Sequence, residues 1–171
     1  MISNRVLPGI VVVAALGVAA LPAHGQNATA ARVITGTDGR DVLLGTSAAD
    51  SIRGLAKDDV LAGGAGADKL DGGTGEDVMT GGSGGDRLLG RSGKDRLSGG
   101  AGGDRLIGST GGDRISGGPG RDVIDGGKDN DAISARDGAR DTVRCGTGRQ
   151  DTVSADRIDR VSGSCEHVSR H

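Results

Sequence analysis

Single apolar residues return every nine positions along the middle of this chain: Leu43, Ile52, Leu61, Leu70, Met79, Leu88, Leu97, Leu106, Ile115, Ile124 and Ile133. Their neighbours are often charged or small and polar, with Lys69, Arg87, Arg96, Arg105 and Arg114 just before and Asp71, Ser98, Ser116 and Asp125 just after. Side chains alternate across a strand, so a polar–apolar–polar triplet predicts a very short strand with one inward side chain. The intervening six-residue segments all begin with Gly and end with Asp. From Gly36 to Ser134 the chain holds eleven such units of nine without an insertion. Position 1 is Gly and position 8 apolar in every unit. Position 6 is always Asp: Asp41, Asp50, Asp59, Asp68, Asp77, Asp86, Asp95, Asp104, Asp113, Asp122 and Asp131. A strict period of this kind predicts stacked repeats that bury a shared core. Val33-Ile34-Thr35 falls in the same frame and predicts one more strand ahead of the first loop.

Composition sharpens this picture. Gly accounts for 35 of 171 residues, and Phe, Tyr and Trp are absent, so an ordinary globular core cannot form. Composition alone would suggest a disordered segment. The period argues otherwise, because disorder gives no reason to place Asp and Leu at fixed offsets. Collagen is excluded, since Gly does not recur every third residue. A six-residue reversal needs left-handed backbone angles, which explains its glycines. Tight loops of this kind turn carbonyl oxygens toward the Asp carboxylate. A flexible ring of hard oxygen ligands suits calcium. No Cys or His lies between Gly36 and Ser134, so soft-ligand metals are not expected there.

The loops resemble the hemolysin-type calcium-binding nonapeptide repeats, the RTX family, whose pattern is G-G-x-G-x-D-x-U-x. The first six positions match fully at Gly63–Asp68, Gly72–Asp77, Gly81–Asp86, Gly99–Asp104 and Gly117–Asp122. The resemblance implies an all-β fold, a right-handed parallel β-roll with two nonapeptides per turn. It also implies calcium between loops one turn apart, held by Asp side chains and loop carbonyls. The eleven Asp residues then form two columns at a spacing of 18. One runs Asp41, Asp59, Asp77, Asp95, Asp113, Asp131 and the other Asp50, Asp68, Asp86, Asp104, Asp122, giving at most nine inter-turn sites. Gly45–Asp50, Gly54–Asp59 and Gly126–Asp131 depart from the loop pattern.

The flanks read differently. Residues 1–25 carry Arg5, an apolar run from Val6 to Leu21 and a small-x-small site at Ala23-His24-Gly25, the pattern of a secretory signal peptide. Cleavage is expected after Gly25, or alternatively after Ala30. Extracellular localisation with no membrane span after cleavage follows. Residues 26–35 are expected to be a linker and the first strand, 36–134 the roll and 135–171 a C-terminal cap. In the cap Asp-x-Val recurs at Asp141, Asp151 and Asp159 with spacings of 10 and 8, predicting irregular β coils. Cys145 and Cys165 are the only cysteines, and in an exported protein such a pair reads as a disulfide. The alternative, zinc on Cys145, Cys165, His167 and His171, has the wrong spacing for a finger.

No nucleophile–base constellation, paired-histidine helix or P-loop is present, so binding is expected, not catalysis. The roll carries 12 basic against 17 acidic residues. Its acid lies in the loops, where calcium would cancel it, and its arginines lie on strands. Arg87 and Arg105 should stack on one sheet and Arg96 and Arg114 on the other. An acidic envelope polymer is a possible partner, with nucleic acid less expected.

Overall fold

The computed structural model describes residues 30–162 and 164–170. The expected signal peptide and its cleavage after Gly25 lie outside them, as does His171. Among the described residues sixteen short strands alternate between two sheets. One sheet contains β1 (Val33–Thr35), β3 (Ser51–Ala56), β5 (Lys69–Thr74), β7 (Arg87–Ser92), β9 (Arg105–Thr110), β11 (Val123–Lys128), β13 (Thr142–Gly146) and β15 (Arg160–Val161). The other contains β2 (Val42–Leu44), β4 (Val60–Ala65), β6 (Val78–Ser83), β8 (Arg96–Ala101), β10 (Arg114–Ser116), β12 (Ala132–Ala135), β14 (Thr152–Ala155) and β16 (His167–Arg170). All neighbours are parallel, and the register step is 18 residues through the repeats, as in Leu70 opposite Leu88 and Leu97 opposite Ile115. Two units therefore make one turn of a β-solenoid of about eight turns, consistent with a β-roll. Among the described residues no helix is long and apolar enough to cross a membrane.

The position-8 side chains fill the space between the sheets. From Ile34 to Ile133 every one is buried, and Val143 and Val153 continue the row. The row fades at Val161, which is partly buried, and at Val168, which is 37% exposed.

The strands are longer than the triplets predicted. Eight of the sixteen run six residues, taking in positions 7 to 9 and then positions 1 to 3 of the next unit. The reversal is correspondingly tighter, confined to positions 4 to 6. Position-1 Gly is thus an inward-facing strand residue, with Gly54, Gly63, Gly72, Gly81, Gly90 and Gly99 all buried. Left-handed angles fall at positions 2 and 4, for example at Gly64 and Gly66.

The C-terminal coils keep both sheets going with altered spacing. Val123 pairs with Thr142, a step of 19, and Ala132 pairs with Thr152, a step of 20. Two units of ten and one of eight follow the units of nine. Inward Ala135, Cys145 and Ala155 stand where the repeats have position-1 Gly, and all three are buried. Cys145 is disulfide-bonded to Cys165, with Cα atoms 5.2 Å apart, so neither thiol is left for a metal.

Candidate metal centre

Each position-6 Asp sits immediately before a strand, at an edge of the roll where the chain crosses from one sheet to the other. Column one, including Asp59, Asp77 and Asp95, leads into β4, β6 and β8. Column two, including Asp68, Asp86 and Asp104, leads into β5, β7 and β9. The structure brings together the columns expected from the 18-residue spacing. All eleven of these aspartates are buried.

One carboxylate oxygen has a fixed job. Oδ1 of each Asp from Asp59 to Asp131 accepts the backbone N–H of the Asp one turn earlier, at 2.7 to 2.9 Å. The turns are thus clipped together along both edges. Oδ2 has no such role. In Asp59, Asp68, Asp77, Asp86, Asp95, Asp104, Asp113, Asp122 and Asp131 it is buried and accepts no hydrogen bond. A buried acceptor without a partner is costly, and a charged one more so.

The titration of these groups reflects that cost. Burial, partly opposed by the N–H from the earlier turn and reinforced by neighbouring carboxylates, pushes Asp59, Asp77 and Asp131 up to about 6. The same causes push Asp113 and Asp122 up to about 7. Burial also raises Asp68, Asp86, Asp95 and Asp104.

Position-1 Gly keeps the space beside Oδ2 open. A Cβ on Gly36 would lie 2.5 Å from Asp41 Oδ2 and 2.6 Å from the Gly54 carbonyl oxygen of the next turn. A Cβ on Gly81 would overlap Asp86 Oδ2 and lie 2.5 Å from the Gly99 carbonyl oxygen. A carboxylate oxygen and an axial carbonyl oxygen therefore converge over one bare Cα, turn after turn. Among the described residues no three His, Cys, Asp or Glu side chains converge, so a cation here would complete its shell with backbone oxygens or water. Hard oxygen donors, one unsatisfied carboxylate oxygen per loop and no soft ligand fit calcium.

The first turn differs. Thr37 N–H donates to Asp41 Oδ2 at 2.5 Å, and its hydroxyl donates to the same oxygen at 3.1 Å. Thr46 N–H and hydroxyl donate to Asp50 Oδ2 at 2.6 and 2.9 Å. The threonines occupy position 2, where the regular loops have Gly.

Sequence reasoning stopped the columns at Asp131; the buried ladder does not. Asp141 Oδ1 accepts Asp122 N–H and Asp151 Oδ1 accepts Asp131 N–H, both at 2.8 Å, and their Oδ2 atoms also lack partners. The signal was present in Asp141-Thr142-Val143 and Asp151-Thr152-Val153, which keep Asp two residues before an inward Val. At the far end Asp159 Oδ1 accepts Asp141 N–H and its Oδ2 accepts Asp156 N–H.

A parallel β-solenoid with two edge columns of buried, half-satisfied aspartates over glycine-lined turns defines the class: a repeat protein built to take up cations. A family model described as the RTX calcium-binding nonapeptide repeat (4 copies) matches residues 33–55, 44–79, 71–106, 80–115 and 107–140. Together these cover well over half of the chain, which belongs to that family. RTX nonapeptide repeats bind calcium ions. Neither the curated proteins nor the solved structures compared with it gave a match.

Proposed function

We propose that the chain is a secreted calcium-binding protein that folds into its roll on taking up Ca2+, with the position-6 aspartates from Asp59 to Asp131 as ligands. The observation that carries this reading is the set of buried Oδ2 atoms without a partner, repeated at every regular loop. Bound calcium would supply positive charge to these columns and tie stacked loops together. The chain's own residues do the rest. Asp Oδ1 sets the spacing between turns, position-1 Gly holds the cradle open, and the inward Leu, Ile and Met row stacks only when the loops are in register. Without a cation the roll must bury two rows of carboxylates beside one another, which couples metal uptake to folding. Export rests on the sequence of residues 1–25. Finding where the mature protein resides tests it: it should appear outside the cell with residue 26 or 31 at its N-terminus, and retention inside with residues 1–25 intact would contradict it.

A second reading, a calcium-cemented structural or adhesive protein that binds an acidic envelope polymer, is supported by the outer faces. Arg87 pairs with Arg105 on one sheet and Arg96 with Arg114 on the other, and all four are exposed. The faces are unequal. On the first, Asp71 is bonded by Arg91 and Asp125 stands on β11. None of the eight strands of the second sheet contains an acidic residue. Binding of an acidic polysaccharide at low salt should therefore fall in Arg96→Ser/Arg114→Ser more than in Arg87→Ser/Arg105→Ser, and should weaken steeply with salt. Equal binding by both variants and wild type would reduce the arginines to a solvated surface.

A further inference from the structure

We propose that the cation array is displaced one turn toward the C-terminus: it continues into the irregular coils through Asp141 and Asp151 and leaves out Asp41 and Asp50. Both cap residues lie beyond residue 140, where the family match ends. The proposal rests on the reading of the orphaned aspartates as calcium ligands.

Three observations carry it. Asp141 and Asp151 are fully buried, and each has an Oδ2 that accepts nothing, the same state as the nine aspartates from Asp59 to Asp131. Their Oδ1 atoms hold the N–H groups of Asp122 and Asp131, so they occupy the next places in the two columns. The cap also supplies a backbone oxygen to the last aspartate of the repeats. Beside Asp131 Oδ2, over Gly126, the repeats' position-1 carbonyl is replaced by that of Cys145, 2.8 Å from where a Cβ on Gly126 would stand. The Cys145–Cys165 disulfide anchors the strand that presents this carbonyl.

The insertion explains how the cap tolerates side chains at position 1. In the repeats Gly precedes Asp by five residues, and Oδ2 lies against its Cα. Ala135 precedes Asp141 by six residues, and Cys145 precedes Asp151 by six. The extra residue lets the inward Cβ and the carboxylate share the interior.

Both ends of the array are closed by the protein itself. At the start, Thr37 and Thr46 give Asp41 and Asp50 Oδ2 the hydrogen bonds that the others lack. At the finish, Asp156 N–H satisfies Asp159 Oδ2, and the Asp151 N–H goes to Glu166 Oε2 at 3.0 Å. The first turn is then a metal-free end plate, and the cap is a metal-bearing continuation of the roll.

Equilibrium dialysis with calcium on the full chain tests this by counting bound ions in three variants. Asp141→Asn/Asp151→Asn should bind fewer ions than wild type, Asp77→Asn/Asp86→Asn should also bind fewer, and Asp41→Asn/Asp50→Asn should bind as many. A cap variant with the wild-type count, beside a depleted Asp77/Asp86 variant, would overturn the proposal while sparing the ligand reading. Wild-type counts in both would overturn the two together. Crystals of the wild-type chain grown with calcium decide the matter without any substitution that might prevent folding. Anomalous density beside Asp141 and Asp151 Oδ2 and none beside Asp41 and Asp50 is expected, and the reverse would refute the proposal.

Discussion

The same residue type does two different jobs in each regular unit. Gly at position 1 is required for space, because Oδ2 and an axial carbonyl occupy the place of its Cβ. Gly at positions 2 and 4 is required for backbone angle, with φ of 110° at Gly64 and 103° at Gly66. The two carboxylate oxygens of Asp likewise part company, one structural and one free for a cation. Loss of a mid-column Asp should therefore cost more than loss of a terminal one. In a calorimetric titration Asp86→Ala should raise the calcium midpoint several-fold, while Asp50→Ala, whose Oδ2 is already held by Thr46, should leave it nearly unchanged. Equal effects would argue against the columns. Protonation can stand in for part of the missing charge balance. Burial raises Asp59, Asp77 and Asp131 to about 6 and Asp113 and Asp122 to about 7, against 3.8 in the ordinary carboxyl. The folded state thus holds protons that the unfolded state releases, so stability of the metal-free roll is greatest below about pH 4 and is lost as pH rises through about 7. In calcium-free buffer the β signal in circular dichroism should be stronger at pH 4 than at pH 7.5, and no difference would contradict the burial of these groups.

At the scale of the strand and turn, periodicity carried most of the information. The inward row, the outward arginines and the 18-residue pairing were all legible, because a fixed period leaves one consistent way to stack the units. The strand ends were not, because Gly-Gly reads as loop, whereas here parallel pairing on both sides holds Gly72 and Gly73 in β5. The buried cap aspartates Asp141 and Asp151 were hidden by two coincident changes, a spacing of ten and Ala135 or Cys145 in place of Gly. The self-satisfied first turn was hidden because the hydroxyls of Thr37 and Thr46 act only once the turn brings Asp41 and Asp50 back beside them. Non-Gly residues at the left-handed positions carry strain: Leu55 has φ 92°, Arg91 76° and Ser109 89°. Strain of this kind costs on the order of 1–3 kcal/mol. Ser109→Gly should accordingly stabilise the calcium-loaded roll by about 1 kcal/mol, read as a higher thermal midpoint, and a lowered midpoint would show that the turn is not strained.

Across the whole molecule, the ends and the faces are unlike. The N-terminal end is closed by threonine hydroxyls, and the C-terminal end by a disulfide-anchored coil. One face mixes arginine with aspartate, and the other carries arginine, small hydroxyl residues and, toward β2, the exposed apolar side chains Leu44, Val60 and Val78. Between the faces lies a core one side chain wide, flanked on both edges by buried carboxylates. A core that thin, without a single aromatic residue, leaves folding dependent on what neutralises those edges. The most direct test is a calcium titration of residues 26–171 followed by circular dichroism at neutral pH. The chain should be largely disordered in chelator and gain β structure cooperatively in millimolar calcium, with magnesium a poor substitute because of its stricter octahedral demand. A full β spectrum in chelator, unchanged on adding calcium, or equal folding by magnesium, would contradict the account.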